Sequence, residues 1–211
     1  MDLNDLRVEY SQRGLSESDL TEEPVELLKS WLGEAIEADL TEPNAMVLAT
    51  VNAQGQPKSR NVLLKQIDGS KLVYFSHTGS RKSQDIEANS HVSATFSWLA
   101  LERQVSVGGT VAPASVEVAE AYWAKRSRRS QLGSAVSNQS QPVASREAME
   151  EAFRSLDEES STVVARPDGW LGWELEPTTI EFWQGRPNRL HDRFVYEAEP
   201  DKSWSVKRLW P

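Results

Sequence analysis

Between Ile180 and Arg193 the chain reads IEFWQGRPNRLHDR, and within it Arg186, Arg189, His191 and Arg193 are or can become cationic. Ile180-Glu181-Phe182-Trp183 is β-branched and aromatic, which suits a strand. Gly185, Pro187 and Asn188 are turn residues. On a strand beyond that turn, alternation puts Arg189, His191 and Arg193 on one face and Leu190 and Asp192 on the other. Neighbouring cations repel one another unless carboxylates or a bound anion compensate. Smaller basic groups recur at Lys58, Arg60 and Lys65, at Arg81 and Lys82, and at Lys125, Arg126, Arg128 and Arg129. Each is a surface patch or a place where an anion sits. Several together in one chain favour the anion.

The whole chain argues against a polyanionic partner. Its 211 residues carry a formal net charge of -9, whereas a nucleic-acid binder is usually basic overall. The acidity is concentrated: residues 1–42 hold twelve Asp/Glu against three Lys/Arg, and residues 147–159 form a second acidic stretch. Basic clusters in an acidic protein fit small phosphorylated molecules. With no cysteine there is no disulfide, thiolate nucleophile or thiolate metal site, and His77, His91 and His191 have no metal-ligand spacing. No apolar run is long enough to span a membrane, and MDLNDLRVEY lacks the apolar stretch of a signal peptide. The expectation is a globular, cytoplasmic protein with neither nucleic-acid nor membrane partner and no metal.

The elements that must position these residues are mostly short strands. Residues 1–20 are polar and read as a mobile arm, followed by a single domain over 21–211, with its core at about 40–165 and further strands at about 170–211. Leu27, Leu28, Trp31, Leu32, Ala35 and Ile36 recur at helical spacing from Pro24 to about Leu40, with Thr21 and Pro24 as start signals. Strands are expected at 45–51, 59–66 and 71–76, separated by NAQGQP and DGS. Ser80 could cap a helix to about Ala88. Strands at 91–98 and 103–112, a helix at 115–125, a Ser/Gln/Gly-rich loop at 127–144 and a helix from Ser145 to about Glu158 follow. Four strands near 170–176, 178–184, 189–197 and 203–209 end the chain. This predicts a mainly β protein, a small antiparallel barrel with peripheral helices. Eight tryptophans are many for this length, and several are expected at an interface or against a flat ligand.

The segment IEFWQGRPNRLHDR closely resembles the C-terminal signature of the pyridoxamine 5′-phosphate oxidases, FMN enzymes that form pyridoxal 5′-phosphate from the phosphorylated amine or alcohol. The likeness extends over LRVEY, RNVLLK (60–65), FS (75–76), SRK (80–82), LERQV (101–105), AYWAKRSRRSQLG (121–133) and SNQSQ (137–141). It implies an FMN-binding split barrel, working as a homodimer with FMN at the subunit interface. By resemblance, FMN is held by Arg60, Asn61, Val62, Leu63, Leu64, Lys65, Phe75, Ser76, Arg81, Lys82, Gln104, Trp183 and Arg193, and by Gln139 and Ser140 from a loop reaching across the interface. Arg and Lys suit a phosphate, and aromatic and aliphatic groups a flat ring. Arg60 and Lys65 have opposite parity on a regular strand, so either a bulge intervenes or they serve different groups.

For the substrate, the resemblance implies a phosphate clamp of Lys65, Tyr122, Arg126 and Ser130. It further implies Arg189, Leu190 and His191 against the pyridine ring, and Arg7 and Tyr10 on an arm that closes over the site. Arg189 and His191 are the candidates for orienting the substrate and assisting proton loss. Dioxygen is the implied electron acceptor, and hydrogen peroxide its product. Phe75 stands where many relatives have Tyr, and the stretch around Arg128 and Arg129 is unusually basic. The same fold also serves flavin or deazaflavin reductases and non-catalytic flavin or pyridoxal-phosphate binders. A flavin-only binder would have no reason to keep Lys65, Tyr122, Arg126, Ser130, Arg189 and His191 together.

Overall fold

The computed structural model describes residues 1, 3, 9–160 and 162–211. Helix α1 (Pro24–Glu37) precedes strands β1 (Ala45–Val51), β2 (Pro57–Leu63), β3 (Gln66–Asp68) and β4 (Lys71–His77). Then come α2 (Arg81–Ala88), β5 (His91–Trp98), β6 (Arg103–Pro113), α3 (Val116–Lys125), α4 (Arg128–Val136) and α5 (Arg146–Glu159). Strands β7 (Trp170–Gln184), β8 (Asp192–Ala198) and β9 (Trp204–Arg208) close the chain. All strand pairs are antiparallel, in the order β2-β1-β5-β6-β7-β4-β3, with β8 on β7 and β9 on β8. The Lys65 amide donates to the Val73 carbonyl at 2.8 Å, extending the β3–β4 hairpin to the residue before β3.

Strand β7 organises the fold. One of its edges pairs with β6 from Trp173 to Gln184. The other edge is shared: Trp170–Leu175 pair with β4, and Thr179–Gln184 pair with β8. Two separate strands were expected here, broken near Pro177. The chain instead runs straight through, because the register with β6 shifts between Gly108 and Gly109, opposite Pro177. A proline at an irregular position forfeits no ladder bond. Gly109 is required there, since a Cβ on it would lie 2.1 Å from the Glu176 carbonyl oxygen.

The barrel is filled by Leu48, Phe96, Val105, Val107, Leu175, Ile180, Phe182, Phe194 and Tyr196. Helix α1 lays Leu27, Leu28, Trp31 and Ala35 against this core, with Trp31 edge-on to Phe182 at 5.3 Å. A second cluster of Ala119, Trp123, Leu132, Val164 and Trp170 lies under α3 and α4. Trp31, Trp98, Trp123, Trp170 and Trp173 are buried, so most of the tryptophans serve these cores, while Trp210 is exposed.

Three further expectations change. Residues 128–136 of the expected loop form α4, because the Ser127 hydroxyl accepts the Ser130 amide and Leu132 buries its side chain in the second cluster. The strand expected at 59–66 ends at Leu63, and the chain turns through Leu64 and Lys65 into β3. Arg60 and Lys65 therefore do not share a regular strand, which resolves their parity. The strand expected from Arg189 begins at Asp192, since residues 187–189 form a 3₁₀ turn with Asn188 (φ 59°) and Arg189 (φ 61°) left-handed. Arg189 thus leaves the alternation that would have aligned it with His191 and Arg193. Of the arm expected over 1–20, Leu15 is buried in the barrel core.

Candidate active site

The first group of site residues forms where β4 runs into α2. Ser80 caps α2, its hydroxyl accepting the Ser83 amide. Lys82 Nζ donates to Gln139 Oε1 (2.8 Å) and Ser80 Oγ (3.2 Å), and Ser76 Oγ donates to the same Gln139 oxygen (2.9 Å). The Arg81 amide donates to Ser140 Oγ at 3.2 Å. Gln139 and Ser140 were expected to reach their site across an interface; here they bond Ser76, Arg81 and Lys82 of their own chain. Arg60 lies nearby, bonded to Thr50 Oγ1 (2.7 Å) and the Leu48 carbonyl, and 3.7 Å from Asp85. Burial, and secondarily the Arg60 charge, push the Lys82 ammonium down to about 8. A half-buried cation held only by neutral oxygens, beside a helix N-terminus, is suited to an anion such as a phosphate monoester.

The second group adjoins it. Phe75 stacks on Tyr122 (4.2 Å, 22°) and Trp170 (5.1 Å, 10°), forming an aromatic wall. Arg126 caps the C-terminus of α3, its guanidinium 5.2 Å from the Trp170 ring centroid. Its Nη2 donates to the Ser130 carbonyl (2.9 Å) and Ser134 Oγ (2.8 Å), while buried Nε has no partner among the described residues. Tyr122, Arg126 and Ser130 are thus gathered where α3 meets α4. Lys65 is exposed at the turn after β2 and bonds none of the three. Arg128, by contrast, is tied to Asp157 at 2.7 Å. Val62 and Leu64 turn their side chains into the core, so any ligand contact there falls to their backbone and to Asn61 and Leu63.

The third group lies at the far end of β7. Gln104, Trp183 and Arg193 are directly opposed across β6, β7 and β8, so their side chains share one face. Arg193 makes two bonds to Glu181 (2.9 and 3.0 Å) and donates to the Trp210 carbonyl. His191 Nδ1 accepts the Arg186 amide at 3.1 Å, which assigns the proton of the neutral ring to Nε2. Its ring lies 4.7 Å from Trp183 and 5.4 Å from Tyr10. Arg189 and Leu190 are exposed on the turn, and Arg189 has no ion pair among the described residues. Arg7 lies outside the described residues. A cleft of about 620 Å³, lined by Tyr10, Glu102, Gln104 and Trp183 among others, opens beside this group. The cations of the opening segment are therefore largely answered by carboxylates of the chain itself, Arg193 by Glu181 and Arg186 by Asp192 at 3.5 Å.

Residues 32–158 match the family model described as pyridoxamine 5′-phosphate oxidase, and residues 170–211 match the model of the pyridoxine 5′-phosphate oxidase C-terminal dimerisation region. The chain belongs to the pyridoxamine 5′-phosphate oxidase family. The pyridoxine/pyridoxamine 5′-phosphate oxidase of Hahella chejuensis is 46% identical over the full length of both chains, and that of Bacteroides thetaiotaomicron 44% over 98% of each. Among solved structures, PhzG from Burkholderia lata 383, in complex with tetrahydrophenazine-1-carboxylic acid, is 30% identical with a TM-score of 0.89, over 96% of this chain and 100% of that one. The fold is thus the split barrel of this oxidase family. Among the described residues no cluster of His, Asp or Glu could hold a metal, and no helix is long and apolar enough to cross a membrane.

Within this oxidase fold, the first two groups and the third sit at opposite ends of β7. Gly172, opposite Phe75, is eleven residues from Trp183, a contour of roughly 36 Å along a strand. Glu181 and Ser80 lie within the motifs quoted above but carried no site role there, and Trp170 lies outside them. Glu181 was accessible in principle, because it shares a strand face with Trp183.

Proposed function

We propose that the chain is an FMN-dependent oxidase that converts pyridoxamine and pyridoxine 5′-phosphates to pyridoxal 5′-phosphate, with dioxygen reduced to hydrogen peroxide. What carries the reading is the identity of about 45% over full length to oxidases of that name. The residues fit the cofactor. Lys82, the α2 N-terminus and the hydroxyls of Ser76 and Ser80 would receive its phosphate, and the row Gln104, Trp183 and Arg193 offers a flat face for its ring. The chemistry supplied by a bound flavin is acceptance of a hydride equivalent from the carbon bearing the amine or alcohol, and its return to dioxygen.

The chain's own residues bind and orient. Arg126 presents a fixed guanidinium to the substrate phosphate, with hydroxyls from Tyr122 and Ser130 and a second charge from Lys65. Arg189 and Leu190 would lie against the pyridine ring. His191, its Nδ1 engaged by a backbone amide, can donate only through Nε2 while neutral, which suits it to orienting the polar groups of the substrate. Tyr10 and the aromatic walls exclude water.

Because the clamp and His191 stand at opposite ends of β7, we read the working unit as a homodimer, with the clamp of one copy facing His191 of the other. The C-terminal match to a dimerisation region supports this. The experiment is to purify the protein, look for flavin absorbance, and supply pyridoxamine 5′-phosphate in air. Pyridoxal phosphate and peroxide should form together. Failure with both phosphorylated substrates, or equal turnover of unphosphorylated pyridoxamine, would refute the assignment; turnover only with a nicotinamide or deazaflavin donor would instead point to a reductase. Mixing Arg126→Ala with His191→Ala protein should raise activity above that of either variant alone, and no increase would argue against a shared site.

A further inference from the structure

The residues that hold Tyr10 in place are not among those matched to substrate or cofactor. Tyr10 packs edge-on against Trp183 (5.8 Å) and His191 (5.4 Å), and the chain behind it is fastened at two points. The Glu102 carboxylate accepts the Ser11 amide (3.1 and 3.0 Å) and the Gln12 amide (3.1 Å). The Asp192 carboxylate accepts the Leu15 amide (3.1 Å) while also bonding Arg208 (2.7 Å). Leu15 then enters the core.

Both fastenings are shaped for close approach. Glu102 is left-handed (φ 55°, ψ 37°), and its carbonyl is pinned by the Gly185 amide (2.7 Å) and the Gln184 side chain (3.2 Å). A Cβ on Gly185 would lie 2.8 Å from Tyr10 Cγ. A Cβ on Gly14 would lie 2.5 Å from Arg186 Nη1 and 2.8 Å from Asp192 Oδ2. At Gly185 a side chain would displace the Tyr10 ring, while at Gly14 it would require the Arg186 guanidinium and the Asp192 carboxylate to move aside.

We propose that Glu102 and Asp192 are positioning residues that clasp residues 11–15 and so hold Tyr10 over Trp183 and His191, setting substrate affinity without touching substrate. Two backbone amides, Ser11 and Gln12, make charge-assisted bonds that converge on the Glu102 carboxylate. Asp192, one residue after His191, couples the second fastening to the segment that carries the ring. The effect on catalysis rests on the oxidase reading above; the clasp itself does not.

Glu102→Gly is the informative variant, because glycine relieves the left-handed backbone while removing the carboxylate. Melting temperature and flavin content should stay at wild-type levels. Trypsin cleavage after Arg13, in the absence of substrate, should accelerate about tenfold as the clasp opens. KM for pyridoxamine 5′-phosphate should rise about tenfold with kcat changed far less. In a Tyr10→Ala background the same substitution should add nothing to KM, since the two act as one unit. Gly185→Ala, which drives a methyl into the Tyr10 ring, should reproduce the KM change from the other side. Unchanged cleavage and KM in Glu102→Gly, or losses that add to those of Tyr10→Ala, would overturn the clasp. Wild-type protein without oxidase activity but with accelerated cleavage in Glu102→Gly would refute the oxidase reading and leave the clasp standing.

Discussion

The two ends of β7 hold their candidate site cations differently. At the distal end most arginines are matched, Arg193 with Glu181, Arg186 and Arg208 with Asp192, Arg103 with Glu34, and Arg189 on its exposed turn is the exception among the described residues. At the proximal end Arg60 lies 3.7 Å from Asp85 and Arg128 pairs with Asp157, but Lys82 and Arg126 are held by hydroxyl, amide and carbonyl oxygens, with no carboxylate among their partners. A paired cation contributes mainly to the shape of the chain, whereas one left to neutral oxygens keeps most of its field for a ligand. The basic residues that look alike in the sequence thus separate into scaffold and receptor by what stands next to them.

The comparison makes its largest claim at Arg126. Arg126→Ala should lower kcat/KM for the phosphorylated substrate by about 10- to 150-fold, from the loss of roughly 1.5–3 kcal/mol of charge-assisted hydrogen bonding. Flavin content and melting temperature should barely move; a variant that loses its flavin but keeps its substrate affinity would break the division. Arg193→Ala should show the converse at the paired end. Leaving Glu181 without its partner should cost about 1–3 kcal/mol, or roughly 3–10 °C in melting temperature, by thermal denaturation. We expect flavin occupancy to fall as well, whereas His191→Ala should keep its flavin and turn over slowly.

A smaller effect distinguishes the ends by pH. Lys82 in the folded chain titrates near 8, below its ordinary 10.5. Between those values the unfolded state binds more protons, so stability of the flavin-free protein should rise as pH increases from about 8 toward 10.5. Lys82→Met should flatten that rise, and an undiminished slope would mean the ammonium is not strained. Smallest of all, the exposed Arg146–Glu150 pair on α5 should cost no more than about 0.5 kcal/mol when Arg146 becomes Ala. A larger loss in denaturant titration would show that carboxylate pairing alone does not sort scaffold from surface.

Much of this is legible in the sequence. Helix α2 and its Ser80 cap, β5, and the helix beginning after Ser145 fall where periodicity and capping residues put them. The family signature named the clamp residues, and the structure gathers Tyr122, Arg126 and Ser130. What escaped has physical causes. Helix α4 carries a single buried side chain, Leu132, in a Ser-rich stretch, so no apolar stripe announces it. Pro177 reads locally as a break, and only the irregularity on the neighbouring strand accommodates it. The turn at Asn188 and Arg189 uses two left-handed non-glycine residues, a conformation that composition does not reveal. The bonds from Gln139 to Ser76 and Lys82 join segments about sixty residues apart, beyond any periodic signal.

Strand β7 also acts as a ruler. Because one continuous backbone carries Trp170 at its start and Trp183 near its end, the spacing of the two groups of candidate site residues is written in residue count and cannot be adjusted by loops. One residue inserted between Pro177 and Ile180 would invert the distal half, turning Trp183 toward the core and Phe182 toward the face that Trp183 shares with Gln104 and Arg193. Two would restore the facing but slide the row with Gln104 and Arg193 out of line by about 7 Å. Length variation in this protein is therefore tolerable almost anywhere sooner than in the fifteen residues of this strand.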